Sequence, residues 1–265
     1  MEVEIDLTKS IQENADSYYG LAKKSKKKLG GLAKGMEEIE KKIASSSVEV
    51  KTKTLVQKRA KEWYEKFHWF FTSENFLVIS GRDAKTNEIV VKKHMAKSDV
   101  YFHADVHGAP HTVLVTAGKK PSQISLNEAA IFAAVFSKAW SEQLSAVDVY
   151  SAAPEQVTKT APSGESLGTG AFMVYGKRTW YKKTPLTHYI GLKKNGDSLS
   201  ICSGSESAVR KNSDFMLKLS FGSDSKGLAA KKIRVKFSEK LKEKADLNLD
   251  DIMALLPSGG LAVNG

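Results

Sequence analysis

The sequence predicts an α+β protein: an antiparallel or mixed β-sheet covered by a long helix, with an N-terminal helical, coiled-coil-like arm and a C-terminal helical tail. Three observations carry this. Apolar residues near the start recur at steps of three and four, the spacing of one helix face. From Phe67 the period drops to two, in short runs rich in β-branched and aromatic residues separated by turn chemistry. An alanine-rich helical pattern then interrupts the strands, and strands, one long helix and further strands is an α+β order.

Taken in order, Ile5, Leu7, Ile11, Ala15, Tyr18, Tyr19 and Ala22 mark a helix face within residues 3–44. Gly30, Gly31 and Gly35 weaken its second half by about 1 kcal/mol each against alanine, so a bend, fraying or a coiled-coil tip is expected there. "SSSVEVKTK" breaks the pattern, and "LVQKRAKEWYEKF" predicts a second helix from about Leu55 to Lys66, giving a helical hairpin with a lysine-rich tip.

"FHWFFTS", "NFLVISG", "EIVVKKH", "DVYFHADV" and "HTVLVTAG" read as strands, with "GRDAKTN" as a hairpin loop between two of them. The covering helix is Ser122–Leu144. Pro121 and Ser122 start it, and Leu126, Ala129, Ala130, Ala133, Phe136, Ala139 and Trp140 form an apolar stripe whose small residues suit close packing on a sheet. "AVDVYSAA" and "GAFMVYGKRTWY" continue the sheet, "LTHYIGLKK" and "DFMLKLSFG" are weaker strands, and from Lys226 the chain returns to helix. The expected division is 1–66 for the helical arm, 67–221 for the sheet domain and 222–265 for a C-terminal helical extension.

The chain has 265 residues, 41% of them hydrophobic, which is enough to bury a core and excludes a disordered chain. Its 41 Lys and Arg against 30 Asp and Glu give +11, a balance that suits polyanions: nucleic acid or an acidic membrane surface. No apolar run approaches the ~18 residues of a membrane span. "MEVEIDLTKS" lacks the apolar core of a signal peptide, and the lone Cys202 excludes an internal disulfide and a Cys-rich zinc site. These features fit a cytoplasmic protein.

The charge is concentrated. Lys23, Lys24, Lys26, Lys27, Lys28 and Lys34 fall in a stretch without acids, as do Lys177, Arg178, Lys182, Lys183, Lys193 and Lys194, and "KKIRVKFSEKLKEK" is a third basic segment. One such run is ordinarily a solvated face; three on one chain favour a surface for polyanions. In "GKRTWYKK", four cations flank Trp180 and Tyr181. That is the composition of a surface where cations meet phosphates and rings stack on bases, the alternative being a solvated hairpin.

"HADVHGAPH" brings His103, His107 and His111 close in sequence. On a strand over 101–107, Tyr101, His103, Asp105 and His107 would share a face. Two imidazoles and a carboxylate can ligate zinc, but this spacing separates them by roughly 6.5–7 Å along a strand. His111 lies beyond Gly108 and Pro110, so no third imidazole is assured. No metal and no cofactor are expected, and His103, Asp105 and His107 are expected to orient loops or contact RNA. "APSGESLGTGAF" is either a phosphate-cradling loop or a long turn between strands. It is not a Walker loop, and the chain has neither a G-x-S-x-G elbow nor a Rossmann fingerprint, so no enzyme is expected.

"KEWYEKFHWFFTSENFLVISGRDAKTNEIVVKKHM", "DVYFHADVHGAPHTVLV" and "QVTKTAPSGESLGTGAFMVYGKR", in that order, resemble the RNA-binding (NFACT-R) domain of the NFACT family. That family includes ribosome-associated quality-control factors, the nuclear export mediator factor and fibronectin-binding-protein-A-like proteins. The likeness runs from about Val56 to Arg178. "IDLTKSIQENADSYYGLAKKSKKK" is similar to the family's coiled-coil middle region, and "LDDIMALLPSGG" to the tail of archaeal members. The resemblance implies an archaeal-like member, or a fragment, lacking the family's NFACT-N domain. It also implies relatives that bind a large ribosomal subunit blocked by peptidyl-tRNA, engage tRNA and in many lineages direct untemplated addition to the stalled chain. The Asp-Arg pair tied to that addition belongs to the NFACT-N domain, and "GRDA" at Gly81–Ala84 is not it.

The leading expectation is thus a non-enzymatic RNA-binding module of a ribosome-associated quality-control factor. Its candidate RNA-contacting residues are Arg82, Asp83, Lys92, Lys93, His103, Asp105, His107, Lys159, Lys177, Arg178, Trp180, Lys182 and Lys183. The expected partners are ribosomal RNA or the large ribosomal subunit, tRNA, and a second copy or another protein through the helical arm, with no membrane. Two other readings stay open. One is a metal-dependent hydrolase or nuclease using the His103, Asp105 and His107 strand, and the other is a protein-docking scaffold built on the arm.

Overall fold

A computed structural model describes residues 4–45, 61–161, 167–196, 198–242 and 245–264. The chain forms two compact units, residues 1–59 and 60–265. The first contains helix α1 (Ile11–Ser45). Its start is a reciprocal cap: the Ser10 hydroxyl accepts from the Glu13 N–H at 3.2 Å, and the Glu13 carboxylate accepts from the Ser10 N–H at 2.8 Å. The helix continues unbroken through Gly30, Gly31 and Gly35, because the lysines, leucines, alanines and glutamates around them are strong helix formers. Residues 55–60 of the expected second helix lie outside the described residues, and Trp63–Lys66 make a single 3-10 turn closed by Glu62 and Glu65.

The second unit continues with β1 (His68–Phe71), β2 (Leu77–Ser80), α2 (Ala84–His94), β3 (Val100–Ala104), β4 (Thr112–Val115), α3 (Gln123–Val135) and α4 (Lys138–Ser141). There follow β5 (Ala146–Ala152), β6 (Val157–Thr158), β7 (Met173–Val174), β8 (Thr179–Pro185), β9 (His188–Asn195) and β10 (Ser198–Gly204). The last elements are α5 (Glu206–Asn212), β11 (Phe215–Asp224), α6 (Lys226–Leu241), α7 (Leu249–Ala254) and β12 (Leu261–Asn264). The strands form a six-stranded sheet in the order β1-β2-β4-β3-β5-β8, a four-stranded sheet in the order β10-β9-β11-β12, and the small pair β6-β7. Neighbouring strands are antiparallel throughout these sheets. The α+β class, the antiparallel sheet and the N-terminal helix are as the sequence predicts; the C-terminal tail carries α6 and α7 but returns to the sheet in β12, which β11 offers an edge.

Several local expectations are corrected. "EIVVKKH" is not a strand, nor is "GRDAKTN" a hairpin loop: together they hold α2. Asp83 caps it, accepting from the Thr86 N–H at 2.8 Å, and Thr86 Oγ1 accepts from the Asp83 N–H at 2.9 Å. The β-branched Val90 and Val91 mimic a strand in sequence but bury as one helix face, Val90 against Phe67, Ile79 and Val113 and Val91 against Tyr101 and Tyr150. The covering helix is two helices, because Ser137 starts a new one by accepting from the Ala139 N–H at 3.2 Å. "GAFMVYGKRTWY" is divided between β7 and β8 by a turn at Gly176, whose φ is +82°.

The six-stranded sheet is covered on both faces. On one face, α3 buries Ala129, Ala130, Phe132 and Ala133 against Phe70, Phe102, Leu114 and Val149, and its alanines let backbone approach backbone. The same core includes Ile190, Leu192, Leu217 and Leu261 of the second sheet and Ile233 and Phe237 of α6. Burying a side chain of Phe132's size contributes roughly 1.5–3 kcal/mol. The tail is pinned by its carbonyls. At and just past the end of α7, Ala254 O accepts from Arg82 Nη2 at 3.3 Å, Leu255 O from His188 Nε2 at 3.1 Å and Leu256 O from Lys226 Nζ at 2.9 Å. Cationic and imidazole donors at a helix C-terminus satisfy carbonyls that the helix cannot. Burial pushes the His188 imidazole down to about 4, so it docks this turn as a neutral donor.

Candidate nucleic-acid interface

The other face of the six-stranded sheet carries the candidate site. Strand register sets it. Trp180 of β8 lies opposite Tyr150 of β5, and Tyr150 lies opposite His103 of β3. Because paired residues point to the same face, the three rings stand in a row. Trp180 meets Tyr150 edge-on at 5.3 Å, Tyr150 meets His103 at 5.8 Å, and His103 meets His111 at 5.2 Å. Phe172 closes the row 5.2 Å from His111. Cations sit on it: the Arg178 guanidinium is 4.5 Å from the Tyr150 ring centre, Lys182 Nζ is 4.2 Å from Trp180, and Lys159 Nζ is 4.9 Å from Phe172. These are cation–π distances. Trp180 is 40% exposed, which leaves an open ring at one end of the row, whereas Tyr181 points the other way and packs on the core beside Phe102.

The middle of the row is fixed by hydrogen bonds. His111 Nε2 is 2.8 Å from Gly170 O, a carbonyl that can only accept, so Nε2 carries the proton. Nδ1 then accepts from the Tyr101 hydroxyl. Burial, with a smaller contribution from His103, pushes the His111 imidazole down to about 4 and keeps it neutral. Gly170 is required at this point: its φ is +77°, and a Cβ there would lie 2.5 Å from Ala84 O. The Gly170 N–H donates to Glu88 at 2.7 Å, and Glu88 also pairs with Lys92 at 2.6 Å and Lys159 at 2.9 Å. Lys92, the Gly170 N–H and Lys159 together push the Glu88 carboxyl down to about 2.

The structure brings Arg82, Asp83, His103 and His107 to one cleft of about 590 Å³, where the start of α2 meets the 106–111 and 169–172 loops. Lys92 and Lys159 meet on Glu88, while Lys93 stands exposed in the last turn of α2. Asp105 and His107 do not share a strand face with His103, because β3 ends at Ala104 and the chain turns; the Asp105 N–H donates to Asp148 O at 2.8 Å. Lys177 is exposed. Lys182 pairs with Asp148 at 2.8 Å, and the Lys183 N–H donates to the same carboxylate at 2.8 Å. Residues 162–166 of the Gly- and Ser-rich loop lie outside the described residues. Tyr150, Phe172 and Glu88 escape the sequence reading, since nothing local to "AVDVYSAA" shows that its tyrosine stands between His103 and Trp180.

The family model of the NFACT protein RNA binding domain matches residues 66–176. Over 206 residues the chain is 37% identical to the archaeal Rqc2 homolog aRqcH of Methanocaldococcus jannaschii, covering 78% of this chain and 30% of that protein. Residues 66–176 carry the RNA-binding domain of the NFACT family. The chain is also 38% identical over 196 residues to the ribosome quality control complex subunit NEMF homolog of Drosophila melanogaster, covering 72% of this chain and 20% of that one. The corresponding human subunit is 42% identical over 175 residues, covering 63% of this chain and 16% of its own length. The chain therefore spans less than a third of each of these relatives. The NFACT match includes α2, the three histidines, Tyr150 and Phe172, and ends before Trp180.

Proposed function

We propose that this chain is the RNA-binding module of a ribosome-associated quality-control factor, contacting ribosomal RNA of the large subunit or tRNA. One observation carries the reading: an unbroken row of rings from Trp180 to Phe172 crosses β8, β5 and β3 and ends on the loop residues His111 and Phe172, with Arg178, Lys182 and Lys159 seated on it. The open ring of Trp180 suits stacking on a base and the cations along the row suit phosphates, a combination that fits unpaired RNA, and the names of the relatives supply the biological setting. The reading is non-catalytic. Asp105 and His107 lie past the end of β3, and His111 has both ring nitrogens engaged by protein partners, which removes support from the metal-dependent hydrolase. Among the described residues, no group of three or more His, Cys, Asp or Glu is placed to share a metal ion.

Filter binding or fluorescence anisotropy with tRNA and ribosomal RNA over a salt series tests this. Neutralising several phosphates releases counterions, so affinity falls steeply between low and moderate salt. Salt-insensitive binding, or none, would favour the docking scaffold.

A further inference from the structure

The cleft beside the ring row differs in chemistry from the surface around it. Among the described residues lining it, Arg82 and Asp83 are the only Lys, Arg, Asp or Glu, so it is close to neutral on a chain of net charge +11. A groove for the sugar–phosphate backbone would instead be cationic. Its remaining walls are the imidazoles of His68, His103, His107 and His111, the rings of Phe136 and Phe172, and loop backbone around Gly108 and Gly170. Burial pushes His68, His103 and His111 below their ordinary range, so they meet a ligand as neutral rings. The His68 ring packs on Phe136 at 4.2 Å with the rings tilted by 31°, and its Nδ1 is buried with no hydrogen-bond partner among the described residues. A buried ring nitrogen left without a partner on a residue that lines the cleft is the kind of group a ligand completes. Arg82 is held by Nη2, which donates to Phe67 O at 2.9 Å and Ala254 O at 3.3 Å; its Nε and Nη1 have no protein partner among the described residues.

We propose that the cleft takes one unpaired nucleotide turned out of its strand, with the base among the imidazoles and Phe172 and its phosphate on the free donors of Arg82. This rests on the RNA-module reading and adds to it a place where an RNA is read one base at a time. The volume of about 590 Å³ falls in the range of small-ligand pockets, roughly 300–1,000 Å³. The neutral polar edges suit the hydrogen-bonding edge of a base, and the flanking rings suit its faces.

The test titrates the full chain with AMP, GMP, CMP and UMP, and with ribose 5-phosphate as the base-free control, following histidine ring signals by long-range proton–nitrogen NMR. At least one nucleoside monophosphate should shift the His68, His103 and His107 rings saturably, and ribose 5-phosphate should not. Ala171→Trp, at an exposed position in the cleft wall, should abolish those shifts and weaken binding of unpaired RNA about tenfold at an unchanged salt slope. His107→Ala, also exposed, makes the same test if the tryptophan variant fails to fold. Lys177→Glu should weaken RNA binding and leave the monophosphate shifts intact. If ring shifts are absent, or are matched by ribose 5-phosphate, while tRNA still binds with a steep salt slope, the nucleotide pocket is overturned and the RNA module stands. If a monophosphate binds and no RNA does, the pocket stands and the module reading fails.

Discussion

The Arg178 guanidinium sits 4.5 Å from the centre of the Tyr150 ring and donates from Nη2 to Val174 O at 3.0 Å. It is thus held in place by an aromatic face and a carbonyl, and its charge stays at the sheet surface. Lys177→Glu with Arg178→Glu should weaken binding to all RNAs and flatten the salt slope in a protein that remains folded. Unchanged affinity and slope would leave "GKRTWYKK" a solvated edge strand.

Trp180 separates stacking from charge. It is 40% exposed, so Trp180→Ala should alter thermal stability little. It should cost about 1–3 kcal/mol in binding of unpaired RNA, with the salt slope nearly unchanged. Anisotropy with a single-stranded and a duplex probe of equal length checks both statements, and equal losses on the two probes would argue against stacking.

Lys182 and Lys177 should not count equally. Lys182 is already paired with Asp148 at 2.8 Å, whereas Lys177 is exposed. Lys177→Ala should reduce the salt slope more than Lys182→Ala does, measured on the same tRNA.

Acid should weaken the fold first through its histidines. His111 and His188 are pushed down to about 4 by burial, from an ordinary value near 6.5, and His68 and His103 are shifted the same way. Between those values the unfolded chain binds protons that the folded chain does not. Stability is therefore fully present above about 6.5 and falls as pH drops towards about 4, on the order of 3 kcal/mol for a site as buried as His188. Glu88, pushed down from 4.5 to about 2, loses its contribution progressively as pH falls between those values. Thermal melts from pH 7 to pH 4 should show the decline, and a flat profile over that window would contradict the neutral assignments.

Gly170→Ala should destabilise the protein by more than the roughly 1–2 kcal/mol of a left-handed residue, because the added methyl also meets Ala84 O at 2.5 Å. Urea unfolding measures it. The His111 ring signal should move as well, since its acceptor is the carbonyl of that same residue.

The sequence shows what depends on short-range pattern. The switch of period at Phe67 and the alanine stripe of α3 both correspond to real elements. Ile89, Val90 and Val91 mislead because helix and strand both bury such residues; the Asp83–Thr86 cap that decides between them is a local signal, legible but weak. The candidate site is legible only in pieces. His103 and Trp180 stand out as residues, but the register that sets Tyr150 between them joins positions far apart in the chain. β12 is likewise invisible locally, being a four-residue strand that exists because β11 offers it an edge.

The capture of the carbonyls of Ala254, Leu255 and Leu256 by Arg82, His188 and Lys226 bears on where this protein can be cut. The match to the family's RNA-binding domain stops at Gly176, yet Ile190, Leu217, Phe237 and Leu261 belong to the same core as Phe70 and Phe102. An excised piece ending at that border would lay bare the α3 side of its sheet, remove the Ser258 wall of the cleft and leave Arg82 without one of its two anchors. What can be expressed and studied alone must run through Leu261. The portion that the family's domain matches is shorter than the portion that shares one core.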